Sequence, residues 1–467
     1  MCHSFALPNL RNMTNSRIAK YSTPTGYRGL TFGNASRITQ ISNYLGVSTT
    51  ASGTQSFTYD NAGRLLSFNG YINNGNNVAN ITQTQSFTYD ANGNRLTSKI
   101  GTATTSTYTA QTTSNRLTSI TGGLTKTNTY DTAGNLTNDG TTSLTYDGRG
   151  RMLTSTSAGL TTSYLINYAG QRVKKANSTE VVYYVYDDAG HMIGEYDAAG
   201  TLIQELIWLG DTPVALRGKM PCLTGGTCTE TANAYIWTDH LNTPREITRV
   251  NASNTHVSMW KWDSLPFGET LPNANPSNLG VMTFNHRFPG QYRDKETGLH
   301  QNWHRDYEPK LGRYVQSDPV GLLAGANTYI YARLNTLMFA DSSGLDVEIC
   351  HQPFDQPVNL PGGLGTVNVP LTHDFLCVGG TCRGWGPGNA WRNDTDAKPF
   401  ASCQNVFSPT FCPGLGQRFF SLSTFETCVA NNTQIGTSNG KPFNVVSNNC
   451  QRAAQNVIAQ CRQEACK

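Results

Sequence analysis

Cys450 is the residue whose type and position most directly suggest covalent chemistry. It follows the polar run Ser447-Asn448-Asn449, whose side chains can cap a helix, and apolar residues recur at helical spacing after it. Cys450 would therefore lie in the first turn of a helix, where the helix dipole stabilises the thiolate. Because the thiolate is the nucleophilic form of cysteine, this placement predicts a nucleophile.

A nucleophilic thiol needs a base, and His373 is the candidate. Residues 371–378 alternate apolar and polar side chains, which predicts a strand. From a facing strand, His373 could take the thiol proton and return it to the leaving group. His351 is the rival base. The structural alternative is that Cys450 is one more disulfide partner and His373 is a buried strand histidine.

Nine of the twelve cysteines lie in the last 122 residues, which marks residues 346–467 as a separate domain. Such density is typical of disulfides and an oxidising destination. Nine is odd, so at least one thiol stays unpaired if the others pair internally. Zinc is disfavoured because the segment has no Cys-x-x-Cys pair and only two histidines. No metal and no cofactor is expected.

Charge separates the two parts of the chain. Residues 346–467 hold eight Lys/Arg and eight Asp/Glu, so the net charge of +4 belongs to residues 1–345. A neutral domain lacks the basic surface that grips phosphate backbones, which weighs against a nuclease and predicts no nucleic-acid partner. No apolar run is long enough for a membrane span, and the first residues do not resemble a secretory signal.

The first 200 residues repeat the pattern Tyr-Asp-x-x-Gly. Each copy predicts a strand ending at Tyr, a turn made by Asp and Gly, and a second strand opening with Leu or Met. Spacings of about 10 to 40 residues fit an array of stacked hairpins. The copies begin at Tyr59, Tyr89, Tyr130, Tyr146, Tyr186 and Tyr196.

These repeats resemble the YD repeats of RHS proteins, and the segment from Arg305 to Leu322 resembles the RHS-associated core. The resemblance covers about residues 50–345 and implies a spiralling β-shell that encloses a variable C-terminal toxin. It also implies that this chain is the C-terminal part of such a polymorphic toxin. An immunity protein is the partner that the family implies.

Two Asp-Pro-x-Gly motifs in that family carry an intramolecular aspartyl protease. Asp318-Pro319-Val320-Gly321 is intact here, whereas Asp341-Ser342-Ser343-Gly344 has serine in place of proline. The resemblance implies cleavage between Leu345 and Asp346. Two carboxylates held close together share a proton and can act as acid and base. The alternative is that both aspartates only cap turns.

The order of His373 and Asn449-Cys450 resembles circularly permuted papain-like enzymes of the NlpC type. Arg383, on the hairpin after the histidine, and Asn449 are the supporting residues that the resemblance suggests, and the third catalytic residue stays open. The predicted fold is mostly β, a YD-repeat antiparallel β-shell followed by a small disulfide-rich α+β domain.

The predicted domains are an N-terminal lead-in (1–50), the YD-repeat shell (51–285), the core with the self-cleavage segment (286–345) and the toxin domain (346–467). We expect a toxin of bacterial antagonism, secreted or delivered into a target cell. Its leading activity is a cysteine hydrolase of amide bonds in peptidoglycan, acting in the periplasm. The alternatives are a nuclease acting in the cytosol and a non-enzymatic module that binds cell surfaces.

Overall fold

The computed structural model describes residues 12–14, 17–24, 26–33, 37–45, 48–72 and 81–345. It includes most side chains between residues 20 and 345. Beyond residue 345 it describes five strands by their backbone alone. Two compact units divide the chain. The first comprises residues 1–317 and 329–344, and the second comprises 318–328 and 345–467. The predicted domain boundaries at 50, 285 and 345 stay predictions.

Two long antiparallel meanders form the first unit, which confirms the predicted β-shell fold. In both sheets each strand pairs with the strands before and after it in the sequence. The eleven strands of the first sheet are β1 (Asn12–Thr14), β2 (Arg17–Thr23), β3 (Gly26–Phe32), β4 (Ile38–Leu45), β5 (Ala51–Tyr59), β6 (Leu65–Ile72), β7 (Ile81–Tyr89), β8 (Arg95–Ile100), β9 (Ser106–Ala110), β10 (Leu117–Gly122) and β11 (Lys126–Thr127).

The second sheet has thirteen strands and begins directly after Asn128. Its strands are β12 (Thr129–Tyr130), β13 (Leu136–Asn138), β14 (Thr142–Tyr146), β15 (Met152–Ser157), β16 (Leu160–Ile166), β17 (Arg172–Ala176), β18 (Val181–Tyr186), β19 (Met192–Asp197), β20 (Leu202–Leu209), β21 (Thr212–Pro221), β22 (Thr229–Thr238), β23 (Pro244–Val250) and β24 (His256–Lys261).

In five of the six repeats the tyrosine bonds backward to the preceding hairpin, whereas the Tyr196 hydroxyl donates to Oε1 of Glu205. The Tyr89 hydroxyl donates to the carbonyl oxygen of Leu65 at 2.9 Å. Tyr146 and Tyr186 bond to the preceding hairpins in the same way, at 2.7 and 2.9 Å. Burial raises the pKa of Tyr89 to about 12, so its hydroxyl stays protonated and can donate. Each of these bonds contributes about 1 kcal/mol to folding.

The aspartate and the glycine shape the turn itself. Oδ1 of Asp60 accepts the backbone N–H of Arg64 at 2.9 Å, and the Gly63 N–H donates to the Asp60 carbonyl oxygen at 3.0 Å. Gly63 has a φ of +86°, a left-handed conformation in which a side chain would be strained. The same aspartate contact recurs at Asp90, Asp131, Asp147 and Asp187.

The residue after the glycine bonds forward to the next turn. Nη1 of Arg64 donates to the Asp90 carbonyl oxygen at 2.6 Å, and Nη1 of Arg151 donates to the Asn167 carbonyl oxygen at 3.2 Å. Together with the tyrosine bond, this contact ties such a repeat to both of its neighbours. The turns therefore form a continuous row along one side of the meander.

The chain after β24 forms a small core that is part of the same unit. It contains a four-stranded antiparallel sheet and a 3-10 turn at Ala332–Leu334. Side chains of this core and of the second sheet share a hydrophobic cluster in which Trp260, Trp262, Tyr307 and Tyr331 have no exposed surface. The four strands are β25 (Gln291–Arg293), β26 (His300–Asn302), β27 (Arg305–Glu308) and β28 (Arg313–Tyr314).

The core also contacts the row of turns directly. The Tyr329 hydroxyl donates to the Gly134 carbonyl oxygen at 2.8 Å, and Nη2 of Arg313 donates to the Asn115 carbonyl oxygen at 2.7 Å. Between β21 and β22, Cys222 and Cys228 form a disulfide across the loop. The core is therefore bonded to turns that lie far away in the sequence.

The second unit begins with the turn at 318–328, which includes a 3-10 helix at Gly321–Ala324. Its remaining described part is an antiparallel sheet in the order β32-β31-β30-β29-β33. Those strands are β29 (Val347–Asn359), β30 (Thr366–Val378), β31 (Thr381–Gly386), β32 (Ala390–Asn393) and β33 (Ser402–Asn405).

Candidate functional site

Asp341 lies buried in the core of the first unit, where two side chains hold its carboxylate. Oδ2 accepts the Tyr314 hydroxyl at 2.7 Å and lies 3.2 Å from Nη2 of Arg305. The Arg305 guanidinium lies 3.7 Å from the centre of the Tyr314 ring, and all three residues are at most 4% exposed. Burial, followed by the nearby Asp341 charge, raises the pKa of Tyr314 well above its usual value, so its hydroxyl remains a donor.

The segment from Asp341 to Gly344 is held by its carbonyl oxygens. Asn302 Nδ2 donates to the Asp341 carbonyl oxygen at 2.7 Å, and Arg305 Nε donates to that of Gly344 at 2.7 Å. The Ser343 carbonyl oxygen accepts both the backbone N–H of His304, at 3.2 Å, and its Nδ1–H, at 3.0 Å. One hairpin, β26–β27, thus supplies every one of these donors.

The fit along this segment is close. A methyl group at Gly290 would lie 1.9 Å from the Ser342 carbonyl oxygen, and one at Gly344 would lie 2.4 Å from the Asn302 carbonyl oxygen. Gly344 also has a φ of +71°. Both positions therefore exclude any side chain, which keeps the segment against the hairpin.

Asp318 belongs to the second unit and is also buried, at 4% exposure. Its Oδ1 accepts the Val320 N–H at 2.9 Å, and its carbonyl oxygen accepts the Gly321 N–H at 2.9 Å. Gly321 has a φ of +68°. Asp318 therefore caps the turn of its own motif, and Asp341 makes a longer version of this contact, to the Ser343 N–H at 3.3 Å.

Leu345 is 1% exposed, whereas Asp346 lies outside the described residues. His373 lies on β30, so the predicted strand over 371–378 is confirmed, and the register places it opposite Gln352. Arg383 lies on the next strand, β31. His351 lies on β29.

Asn449 and Cys450 lie outside the described residues, so the proposed thiol pair stays a prediction. The residues that hold Asp341 were not identified from the sequence as site residues. Asn302, Arg305 and Tyr314 all lie in or beside the core motif, and their position there was the only available signal. In the described part of the chain, no helix is long and apolar enough to cross a membrane, and no group of three acidic, His or Cys side chains is arranged for a metal.

Comparison with known families shows which family the repeats resemble. The Teneurin YD-shell family model matches residues 5–207. Residues 5–207 are therefore similar in sequence to a YD shell. The match reaches back into the predicted lead-in, where β1–β4 continue the first sheet.

Two curated relatives are bacterial toxins. The chain is 31% identical over 147 residues to toxin protein Tse5 of Pseudomonas aeruginosa, which covers 31% of this chain and 10% of that protein. It is 35% identical over 115 residues to double-stranded DNA deaminase toxin A of Burkholderia cenocepacia, 24% of this chain and 7% of that protein. The chain thus spans a tenth or less of the length of these relatives.

The fold of the chain also resembles a solved structure, that of the Photorhabdus luminescens Tc holotoxin pore with the TccC3-D651A mutation. The two chains share 17% identity with a TM-score of 0.51, over 74% of this chain and 17% of the other. At this identity the likeness shows the fold alone.

Proposed function

We propose that the chain cuts itself between Leu345 and Asp346, and that residues 346–467 are a toxin used against competing bacteria. The observation that carries the proposal is the set of hydrogen bonds that fixes residues 341–344. Three carbonyl oxygens are bound by one hairpin, and the Asp341 carboxylate is fixed four residues before the bond. Enzymes position a peptide bond by binding the backbone beside it in this way.

In the proposed reaction Asp341 is the base, because its ion pair with Arg305 favours the ionised carboxylate. Asp341 takes a proton from water, and the water oxygen bonds to the Leu345 carbonyl carbon. Asp318, in its protonated form, donates a proton to the Asp346 nitrogen as the C–N bond breaks. The products are a carboxylate at Leu345 and an amine at Asp346.

Intact-mass measurement of the purified full chain tests this reaction. We expect two fragments, residues 1–345 and 346–467, and we expect Asp341→Asn and Asp318→Asn to leave the chain whole. Asp211→Asn is the matched control, since that carboxylate is 64% exposed at a turn of the repeat array. Cleavage of Asp341→Asn at the unsubstituted rate, or scission elsewhere, would contradict the proposal.

For the toxin activity we propose a cysteine hydrolase of amide bonds in peptidoglycan. Cys450 attacks the amide carbonyl, His373 acts as base and then acid, and a backbone N–H stabilises the oxyanion. Arg383 and Asn449 are the supporting residues. Nine cysteines and zero net charge in residues 346–467 favour this activity in the periplasm. An immunity protein that blocks residues 346–467 is part of the same proposal.

A nuclease or other DNA-directed activity is the second candidate, because one toxin relative is a DNA deaminase. Expressing residues 346–467 in bacteria, with and without an export signal, separates the two. Killing that requires export and is lost in Cys450→Ala supports the hydrolase. Cytosolic killing that survives Cys450→Ala supports the second candidate.

A further inference from the structure

We propose that Trp303 and His304 are positioning residues for the self-cleavage, through which two turns of the repeat array control the segment before Leu345. The bond is cut only after these turns have formed. This inference rests on the proposed self-cleavage, and it adds a link between cleavage and folding of the array.

Trp303 and His304 form the turn between β26 and β27, and one side of this turn lies against two repeats. Nε1 of Trp303 donates to the Ala169 carbonyl oxygen at 3.0 Å. A methyl group at Gly190 would lie 2.4 Å from the Trp303 ring, and one at Gly170 would lie 3.1 Å from Nε2 of His304. The two rings therefore lie directly over Gly190 of a Tyr-Asp turn and over Gly170 of the preceding turn, in which Asn167 takes the place of the aspartate.

The other side of the same turn holds the segment that leads to Leu345. His304 donates to the Ser343 carbonyl oxygen through both its backbone N–H and its Nδ1–H. The rings of Trp303 and His304 stack with 5.5 Å between centres and 11° between planes, so the position of Trp303 sets that of the imidazole. Burial lowers the pKa of His304 to about 4, which keeps the ring neutral with one N–H.

This arrangement connects parts of the chain that are far apart. Trp303 and Ala169 are separated by 134 residues, so their contact exists only once those repeats have folded. The Ser343 carbonyl lies two residues before Leu345, and an error of 1 Å at a reacting bond costs about 100-fold in rate. Cleavage thereby becomes dependent on two turns that have no part in the chemistry.

His304 variants of the full chain test the direct contact. We expect His304→Ala to slow the appearance of the 1–345 fragment about 10-fold, the factor for one hydrogen bond lost in the transition state. His304→Asn should restore most of the rate, because its side-chain amide can donate to the same carbonyl. A merely space-filling role would not give this rescue.

A pair of glycine variants tests the link to the array. Gly190 and Gly200 both occupy Tyr-Asp turns with a φ of +90° and +76°, but only Gly190 contacts Trp303, whereas a methyl group at Gly200 meets nothing within 4 Å. Both positions have a positive φ, so each alanine variant carries backbone strain. We expect Gly190→Ala to slow cleavage and Gly200→Ala to leave the rate unchanged.

Hydrogen exchange provides a readout without cleavage, in chains that also carry Asp341→Asn. His304→Ala and Gly190→Ala should speed exchange in residues 338–345, and Gly200→Ala should not. If the unsubstituted chain stays whole, self-cleavage and this inference are both overturned. If it is cut, but His304→Ala is cut equally fast or Gly190→Ala behaves like Gly200→Ala, the inference alone is overturned.

Discussion

Nη1 of Arg172 donates to both carboxylate oxygens of Asp294, at 2.7 and 2.8 Å, and neither side chain is more than 2% exposed. Arg172 lies on β17 of the second sheet, and Asp294 directly follows β25 of the core. Burial opposes the charge on Arg172, but Asp294 outweighs it and raises the pKa of the guanidinium above its usual value. The pair joins the repeat array to the core.

Removing one partner of this ion pair should lower the free energy of unfolding. Asp294→Ala leaves the buried Arg172 charge with weaker partners, the carboxylate of Asp306 at 3.7 Å and the ring of Tyr164 at 4.2 Å from its centre. We expect the free energy of unfolding to fall by about 3 kcal/mol, measured by urea denaturation. Lys295→Ala is the control, because Lys295 is 58% exposed and its pair with Glu180 should contribute less than about 1 kcal/mol. Equal losses in the two variants would contradict this prediction.

Tyr314→Phe tests whether the hydrogen bond to Asp341, as distinct from the packing of the Tyr314 ring, supports self-cleavage. The change keeps the ring but removes the 2.7 Å hydrogen bond to the carboxylate. We expect self-cleavage to slow about 10-fold, as followed by the rate at which the 346–467 fragment appears. Tyr329→Phe, which loses a bond to the Gly134 carbonyl instead, should be cut at the unsubstituted rate. A slowed Tyr329→Phe would show that the effect is not specific to Asp341.

Two tyrosines on β18 test the backward bond of the repeat. The Tyr186 hydroxyl donates to the Arg172 carbonyl oxygen, whereas Tyr183 is 40% exposed on the outer face. Tyr186→Phe should lower the free energy of unfolding by about 1 kcal/mol, and Tyr183→Phe should change it by less than about half of that. Denaturant midpoints measure both, and a larger effect of Tyr183→Phe would reverse the assignment.

Glu269 predicts a pH dependence of stability. Burial raises the pKa of its carboxyl to about 7 from 4.5, so the unfolded chain releases this proton at lower pH than the folded chain. Its contribution is therefore intact below about pH 4.5 and is lost as pH rises toward 7. Relative to the unsubstituted chain, Glu269→Gln should gain about 2 kcal/mol between pH 5 and pH 8. A difference that is constant between these two pH values would refute the assignment.

The repeats could be predicted from sequence because their turns are built locally. Asp60, Gly63 and Arg64 lie within five residues, so their spacing carries the information. The arginine bonds between successive turns and the hydrogen bonds that fix Asp341 depend instead on residues 16 to 39 positions apart, which no local pattern encodes. In residues 346–467, the strand that carries His373 followed from its alternation of apolar and polar residues. Contact between His373 and Cys450 would depend instead on long-range folding.

The repeats at Tyr59 and Tyr146 carry both a backward tyrosine bond and a forward arginine bond, so the same kind of contact joins each of them to its neighbours. When a whole repeat of this kind is inserted or removed, its neighbours can re-form both contacts, so stability changes by nearly equal increments. The area that such a sheet can cover is therefore adjustable in steps during evolution. The turns that contact the core cannot be inserted or removed in this way, because each of these turns faces a particular side chain of the core.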